Sequence, residues 1–173
     1  IDFRKLVIRL NEPSYEVNIP YVKIDDNWEN EKEKDKLPKF EGVGVVTPDE
    51  FKGFISGEKI NGLQWMTKET KKGEITIPRD DKFVSITIDN LKIKVKPKVQ
   101  GDEVRFEVKL NMNALLSSFE GKITEKEIRQ FVKKQIKKEI EETYLEGLEK
   151  EVDIYRLSEH LYRSDVKNWK KVQ

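Results

Sequence analysis

The sequence contains no cysteine, one histidine (His160) and two methionines among 173 residues. The lack of cysteine excludes disulfides, thiolate nucleophiles and cysteine-based metal sites. The lone histidine has no cysteine to pair with, and Ser158, two positions before it, falls on a different helix face. Asp25-Asp26-Asn27 is the nearest approach to a cation-binding run, but it lacks the spacing of a calcium loop. No apolar stretch approaches the ~20 residues that span a bilayer, and no signal-peptide pattern is present. An excess of either charge is missing too. Lys and Arg number 34 against 33 Asp and Glu, a net charge of +1. Such a balance provides no global field to draw in nucleic acid or anionic lipid, so any such binding needs a local patch.

Charge itself is abundant. Charged residues make up 39% of the chain and hydrophobic ones 36%, which predicts an economical core under a heavily charged surface. The length suits one domain that buries a core without staples. With no internal repeat and no Gly/Ser linker, the expectation is a single α+β domain over 1–173. Residues 1–16 form a lead-in segment and 25–40 a charged surface loop around Trp28, a candidate partner contact. The start at Ile1 in place of Met predicts a fragment or processed product of a longer chain.

Patterning assigns the elements. Phe3, Leu6, Val7 and Leu10 have helical spacing, and Pro13 marks a break after them. Val17, Ile19 and Tyr21 alternate as a strand, with Pro20 pointing to an edge. Gly42–Val46 and Phe51–Ile55, separated by Thr47-Pro48-Asp49-Glu50, form a hairpin candidate. Residues 57–67 suggest a short helix in which Gly62 marks a close contact. Four strands of a meander follow. Turns are expected at Pro78-Arg79-Asp80-Asp81, Asp89-Asn90 and Gln100-Gly101-Asp102. Alternation runs unbroken from Val104 to Ala114, so one face meets the core and the other meets water.

A long helix is predicted over 125–150, about 39 Å at ~1.5 Å per residue. Thr124 and Glu127 make its capping box, and Ile123 and Ile128 its hydrophobic staple. Its apolar residues Ile128, Val132, Ile136, Ile140, Tyr144 and Leu148 recur every fourth position. That stripe drifts around the helix, so its two ends face different things. The first end is expected to cross a twisted sheet, and the second to meet the C-terminal segment or a partner protein. Asp153 is expected to cap a last helix that buries Leu157 and Leu161, with Tyr162 beside them.

The fold class expected is therefore an antiparallel-rich β-sheet meander with a long α-helix and shorter helices packed on it. No catalytic, cofactor-binding or metal-binding residue stands out. Carboxylates are numerous, so a glycosidase-like pair stays open by count, although most sit in mixed Glu/Lys runs. Gly42-Val43-Gly44 is no phosphate loop, because no Lys-Ser/Thr follows it. Lys92, Lys94, Lys96 and Lys98 alternate with apolar residues and share one strand face. They are the best candidates for a polyanion or partner contact. No aromatic side chains interleave with them, so the stacking platform for single-stranded nucleic acid is lacking.

Three stretches in order, Gly42–Trp65, Lys94–Val99 and Asp153–Lys171, resemble the C-terminal domain of the Ger(x)C family. These are the lipoprotein C subunits of bacterial spore nutrient-germinant receptors. Gly53, Gly62, Trp65, Pro97, Asp153, Arg163 and Trp169 fall on the family's motif positions. Tyr162 and Val166 depart from it, standing where His and Pro are common. The resemblance implies a non-enzymatic accessory subunit without cofactor. It implies a place on the extracytoplasmic face of the spore inner membrane, held by an upstream lipid anchor. It also implies partnership with membrane-embedded A and B subunits, with no nucleic acid expected. The residues alone leave two other readings open, a polyanion-binding module using the four lysines and a cell-wall glycan binder or hydrolase.

Overall fold

The computed structural model describes residues 3–12, 16–30, 33–67, 70–79, 82–101, 103–118 and 123–171. The chain folds as α+β; the described residues form two three-stranded antiparallel sheets and five helices, one of them long.

Helix α1 (Phe3–Leu10) has the expected amphipathic spacing. It leads into the first sheet, ordered β1-β2-β3: β1 (Val17–Asn30), β2 (Glu33–Val46) and β3 (Phe51–Ser56). Pro20 lies on the edge strand β1, as expected. The charged loop expected over 25–40 is strand where the structure describes it: 25–30 belong to the far half of β1 and 33–40 to that of β2. They pair as Ile24 with Pro38, Trp28 with Asp35 and Asn30 with Glu33. Side chains at 22–24 and 36–40 are exposed, and a strand whose side chains meet solvent needs no apolar alternation to exist. The expected break around Pro13 lies outside the described residues.

A 3-10 turn (Gly57–Ile60) and helix α2 (Leu63–Met66) replace the single short helix expected over 57–67. The second sheet is ordered β4-β5-β6: β4 (Lys72–Arg79), β5 (Lys82–Gln100) and β6 (Glu103–Ser118). It has three strands, one fewer than the meander expected. Asp89-Asn90 does not turn the chain. Asn90 takes a left-handed conformation at φ 51°, and the register steps from Asp89 opposite Asn113 to Lys92 opposite Asn111. This is a bulge within one long strand. Pro78 and Arg79 likewise continue β4; the rest of that expected turn, and Asp102, lie outside the described residues.

Helix α3 (Glu125–Glu149) starts with the full reciprocal capping box of Thr124 and Glu127. Val132 and Ile136 pack on the second sheet with Ile75, Ile77, Val84, Ile86, Ile88 and Trp65. A second cluster joins Val43, Val45 and Ile55 of the first sheet to Val152, Ile154, Tyr155 and Leu157. Ile140 packs against both clusters. The two ends of α3 thus face different things, as the drifting stripe predicts, with the C-terminal segment against the second end. The residues that make the contact differ, however. Beyond Ile136 the buried positions are Glu139, Thr143 and Gly147, while Tyr144 and Leu148 stay 39% and 52% exposed. Helices α4 (Leu157–Ser164) and α5 (Val166–Trp169) close the chain.

Candidate contact surfaces

The buried polar groups are engaged with one another. The Trp65 indole is fully enclosed, and its Nε1 donates to Glu139 Oε2 at 2.5 Å. Gln135 Nε2 donates to the other oxygen of Glu139 at 2.8 Å. The Gly62 N–H donates to Thr143 Oγ1 at 2.9 Å, and the Tyr155 hydroxyl donates to the Ile140 carbonyl at 2.9 Å. Burial pushes the Tyr155 phenol well above its ordinary range. A Cβ on Gly62 would stand 2.4 Å from both the Glu139 carbonyl and the Tyr155 hydroxyl. This knot ties α2 to the second half of α3. It explains why polar and small residues occupy the buried stripe there: Glu139 and Thr143 are hydrogen-bond partners, and Gly147 leaves room for the Ile154 side chain.

The other positions singled out in the sequence are spread over the fold. Gly53 sits at a register shift of β3 with φ 104°, a conformation that side-chain-bearing residues avoid. Pro97 faces Phe106 in the part of β5 beyond its pairing with β4, so that side offers no ladder bond to lose. Asp153 accepts from the backbone N–H groups of Leu157 at 2.8 Å and Ser158 at 2.6 Å, and from the Ser158 hydroxyl at 2.6 Å. It therefore caps α4 as expected, and Leu157 and Leu161 are buried. Arg163 is an exposed partner of Glu159 one turn back. Trp169 is buried, edge-on to Tyr162 with ring centroids 4.9 Å apart. These residues do not converge on one cleft. Among the described residues no group of three His, Asp or Glu side chains is placed to hold a metal ion.

The outward features are of three kinds. First, Lys92, Lys94, Lys96 and Lys98 are all on one face of β5 and reach solvent. Opposite them on β6 stand Asn111, Lys109, Glu107 and Arg105. Lys98 and Lys109 each reach Glu107 at 3.1 Å, holding its carboxyl below the usual carboxylate range. Second, Tyr21, Phe51 and Phe54 form an aromatic cluster on the outer face of the first sheet, with centroid separations of 4.6 and 5.0 Å. Phe51 and Phe54 are 52% and 51% exposed. The sequence reading missed this cluster. Its one signal was Gly44, which gives the two rings a floor: a Cβ there would meet Phe51 at 3.0 Å and Phe54 at 3.3 Å. Third, an open groove of about 1230 Å³ separates α3 from β6, lined by Phe106, Val108, Leu110, Ile128 and Ile136 among others. The Trp28 backbone lies in the far part of β1, but its side chain is outside the described part of the structure.

The order of elements, the capped α4 and the Gly62–Trp65 knot define a mixed α+β domain. The sequence profile "Spore germination B3/ GerAC like, C-terminal" matches residues 41–173, and the chain belongs to that family. The crystal structure of the GerBC protein superposes on the chain with a TM-score of 0.75 at 22% identity. The match covers 98% of this chain and 52% of that one, so this chain spans about half of its length. No curated protein sequence matches the chain. Among the described residues no helix is long and apolar enough to cross a membrane.

Proposed function

We propose that this chain is a domain of a spore germinant-receptor subunit, and that it acts through contact with other proteins and not through catalysis. Family membership over residues 41–173 is the observation that carries the reading. The division of polar groups supports it. The buried set of Trp65, Glu139, Thr143 and Tyr155 is engaged in holding helices together, while the surface offers a lysine row and an aromatic cluster. On this reading Gly53, Gly62, Trp65, Pro97, Asp153 and Trp169 serve the fold. The partners are the membrane-embedded A and B receptor subunits. The longer protein is held on the extracytoplasmic face of the spore inner membrane by an upstream lipid anchor.

The test is co-purification of the full-length subunit with the A and B subunits, combined with deletion of this domain in spores. Loss of nutrient-triggered germination on deletion is expected. Normal germination without the domain defeats the proposal. The lysine row is the contact we favour for an acidic partner surface. Lys92→Glu, Lys94→Glu and Lys96→Glu together should abolish co-purification while leaving the melting temperature unchanged. The concentration of positive charge on that face also favours a second reading, binding of a polyanion. That reading requires affinity for heparin or nucleic acid that falls steeply with salt. No binding at low salt eliminates it.

A further inference from the structure

We infer that Glu16 and Asn18 form a proton-operated clasp between the start of β1 and the turn before α4. Once protonated, the Glu16 carboxyl donates to Asn18 Oδ1; on ionising it loses that bond and loosens the turn. Asn18 lies opposite Val45, a fully buried residue, so its side chain is on the core face of the first sheet. There its Nδ2 donates to the Ile154 carbonyl at 3.4 Å, which leaves Oδ1 as the end in need of a donor. Glu16, two residues earlier, accepts from the backbone N–H of Asp153, the neighbour of Ile154. The two side chains thus meet the same short stretch of chain. Glu16 Oε2 and Asn18 Oδ1 are both enclosed, and among the described residues neither has a hydrogen-bond partner. An ionised carboxylate and an amide oxygen only accept, so the pair holds two acceptors and no donor. One proton on Glu16 turns one of them into a donor and satisfies both.

The charged groups around the pair leave that role to Glu16. Burial is the largest influence on its carboxyl and favours the proton. From the turn before α4, the Asp153 carboxylate is taken up by the N–H groups of Leu157 and Ser158 and the Ser158 hydroxyl, and its charge opposes a second negative charge beside it. Arg156 from the same turn and Lys52 from β3 favour the ionised form. Lys52 is drawn to Glu50 at 2.6 Å and Glu151 at 3.6 Å, which weakens its hold on Glu16. β2 adds no charge here, since Val45 and Val46 stand opposite Asn18 and Val17. The Glu16 carboxyl of the folded chain titrates above its ordinary value of 4.5. The clasp therefore closes as pH falls through the folded midpoint and opens as pH rises through it.

An NMR titration of the 173-residue chain from about pH 8 to about pH 4 tests this, following the Glu16 carboxyl carbon and the Asn18 side-chain amide. The Asn18 amide should shift with the Glu16 midpoint, and should stop doing so in Glu16→Gln. Asn18→Leu keeps the site dry and removes the acceptor, so the Glu16 midpoint should fall. Burial alone predicts a midpoint as high or higher, and that result overturns the clasp. Asn18→Asp sets two carboxyls to share one proton, and the upper midpoint of the pair should exceed that of the parent. Amide exchange in the parent, corrected for its intrinsic pH dependence, should show opening at Asp153 and Ile154 rising at least about twofold as Glu16 ionises. Opening that ignores the midpoint counts against the inference. Should both Asn18 variants fail to fold, the parent decides alone: an Asn18 amide that does not respond at the Glu16 midpoint refutes the bond between them.

Discussion

Gly62→Ala is the sharpest perturbation of the knot between α2 and α3. The glycine has an ordinary helical conformation, φ −64° and ψ −22°, so alanine suffers no backbone strain there. On propensity alone alanine would gain up to about 1 kcal/mol. Space decides the sign. The new methyl would stand 2.4 Å from the Glu139 carbonyl and the Tyr155 hydroxyl and 2.7 Å from Thr143 Oγ1. One of those atoms is helix backbone and the others are buried, so something must shift. Overpacking of this kind costs about 1–3 kcal/mol. Stretching the Gly62 N–H to Thr143 bond adds about 1–3 kcal/mol if the donor is left unsatisfied. The net expectation is a loss of about 1–5 kcal/mol after the propensity gain. For a chain of this size that lowers Tm by roughly 2–20 °C. Urea unfolding of parent and variant at about 25 °C measures it. A Gly62→Ala protein as stable as the parent would refute the claim that this glycine exists to let two elements approach.

Thr143→Val tests the same knot from the helix side and should cost about 1–3 kcal/mol, because it strands the Gly62 N–H in a fully buried site; its effect should be less than additive with Gly62→Ala in a double-mutant cycle. Asp153→Ala removes the carboxylate that caps α4 and should cost about 1–2 kcal/mol by denaturant unfolding. Glu16 gives a pH signature. Burial raises its carboxyl above the ordinary value of 4.5, the nearby Asp153 charge adding to the effect, while a backbone bond from Asp153 and the charges of Lys52 and Arg156 oppose it. An acid raised on folding destabilises when ionised, so this penalty is full above the folded pKa and disappears as pH falls through that value towards 4.5. Glu16→Gln should therefore be more stable than the parent near neutral pH, with the gap closing on acidification; a gap independent of pH contradicts the assignment.

The sequence made some of this legible and hid the rest for identifiable reasons. Alternation from Val104 onward marks a strand with one face on the core, and β6 is that strand. The same logic went astray at Asp89-Asn90. A left-handed Asn is common to a tight turn and to a bulge, and what separates them is whether a partner strand continues alongside. Here β6 does, well past Asn113. The far halves of β1 and β2 were hidden by composition, since a charged run carries no apolar alternation to mark a strand. In α3 the apolar stripe gave the first half correctly. It misled in the second because Glu139, Thr143 and Gly147 carry no hydropathy signal, although a Gly in mid-helix four residues after a Thr was a hint of close approach. The candidate surfaces were partly readable. The lysine row stands out from its alternation, while the aromatic cluster depends on a register shift between β2 and β3 that no local pattern announces.

Trp65 belongs to none of the large elements yet touches several of them. Its backbone continues from the first sheet, its indole nitrogen is bound to α3, and its ring edge lies where a Cβ on Gly73 of the second sheet would be, 2.6 Å away. A push that displaces the segment after β3 must therefore unseat the indole from β4 or drag α3 along with it. Mechanically the side chain is a keystone, and a change in its emission would register any event at the surface of one sheet that reaches the other.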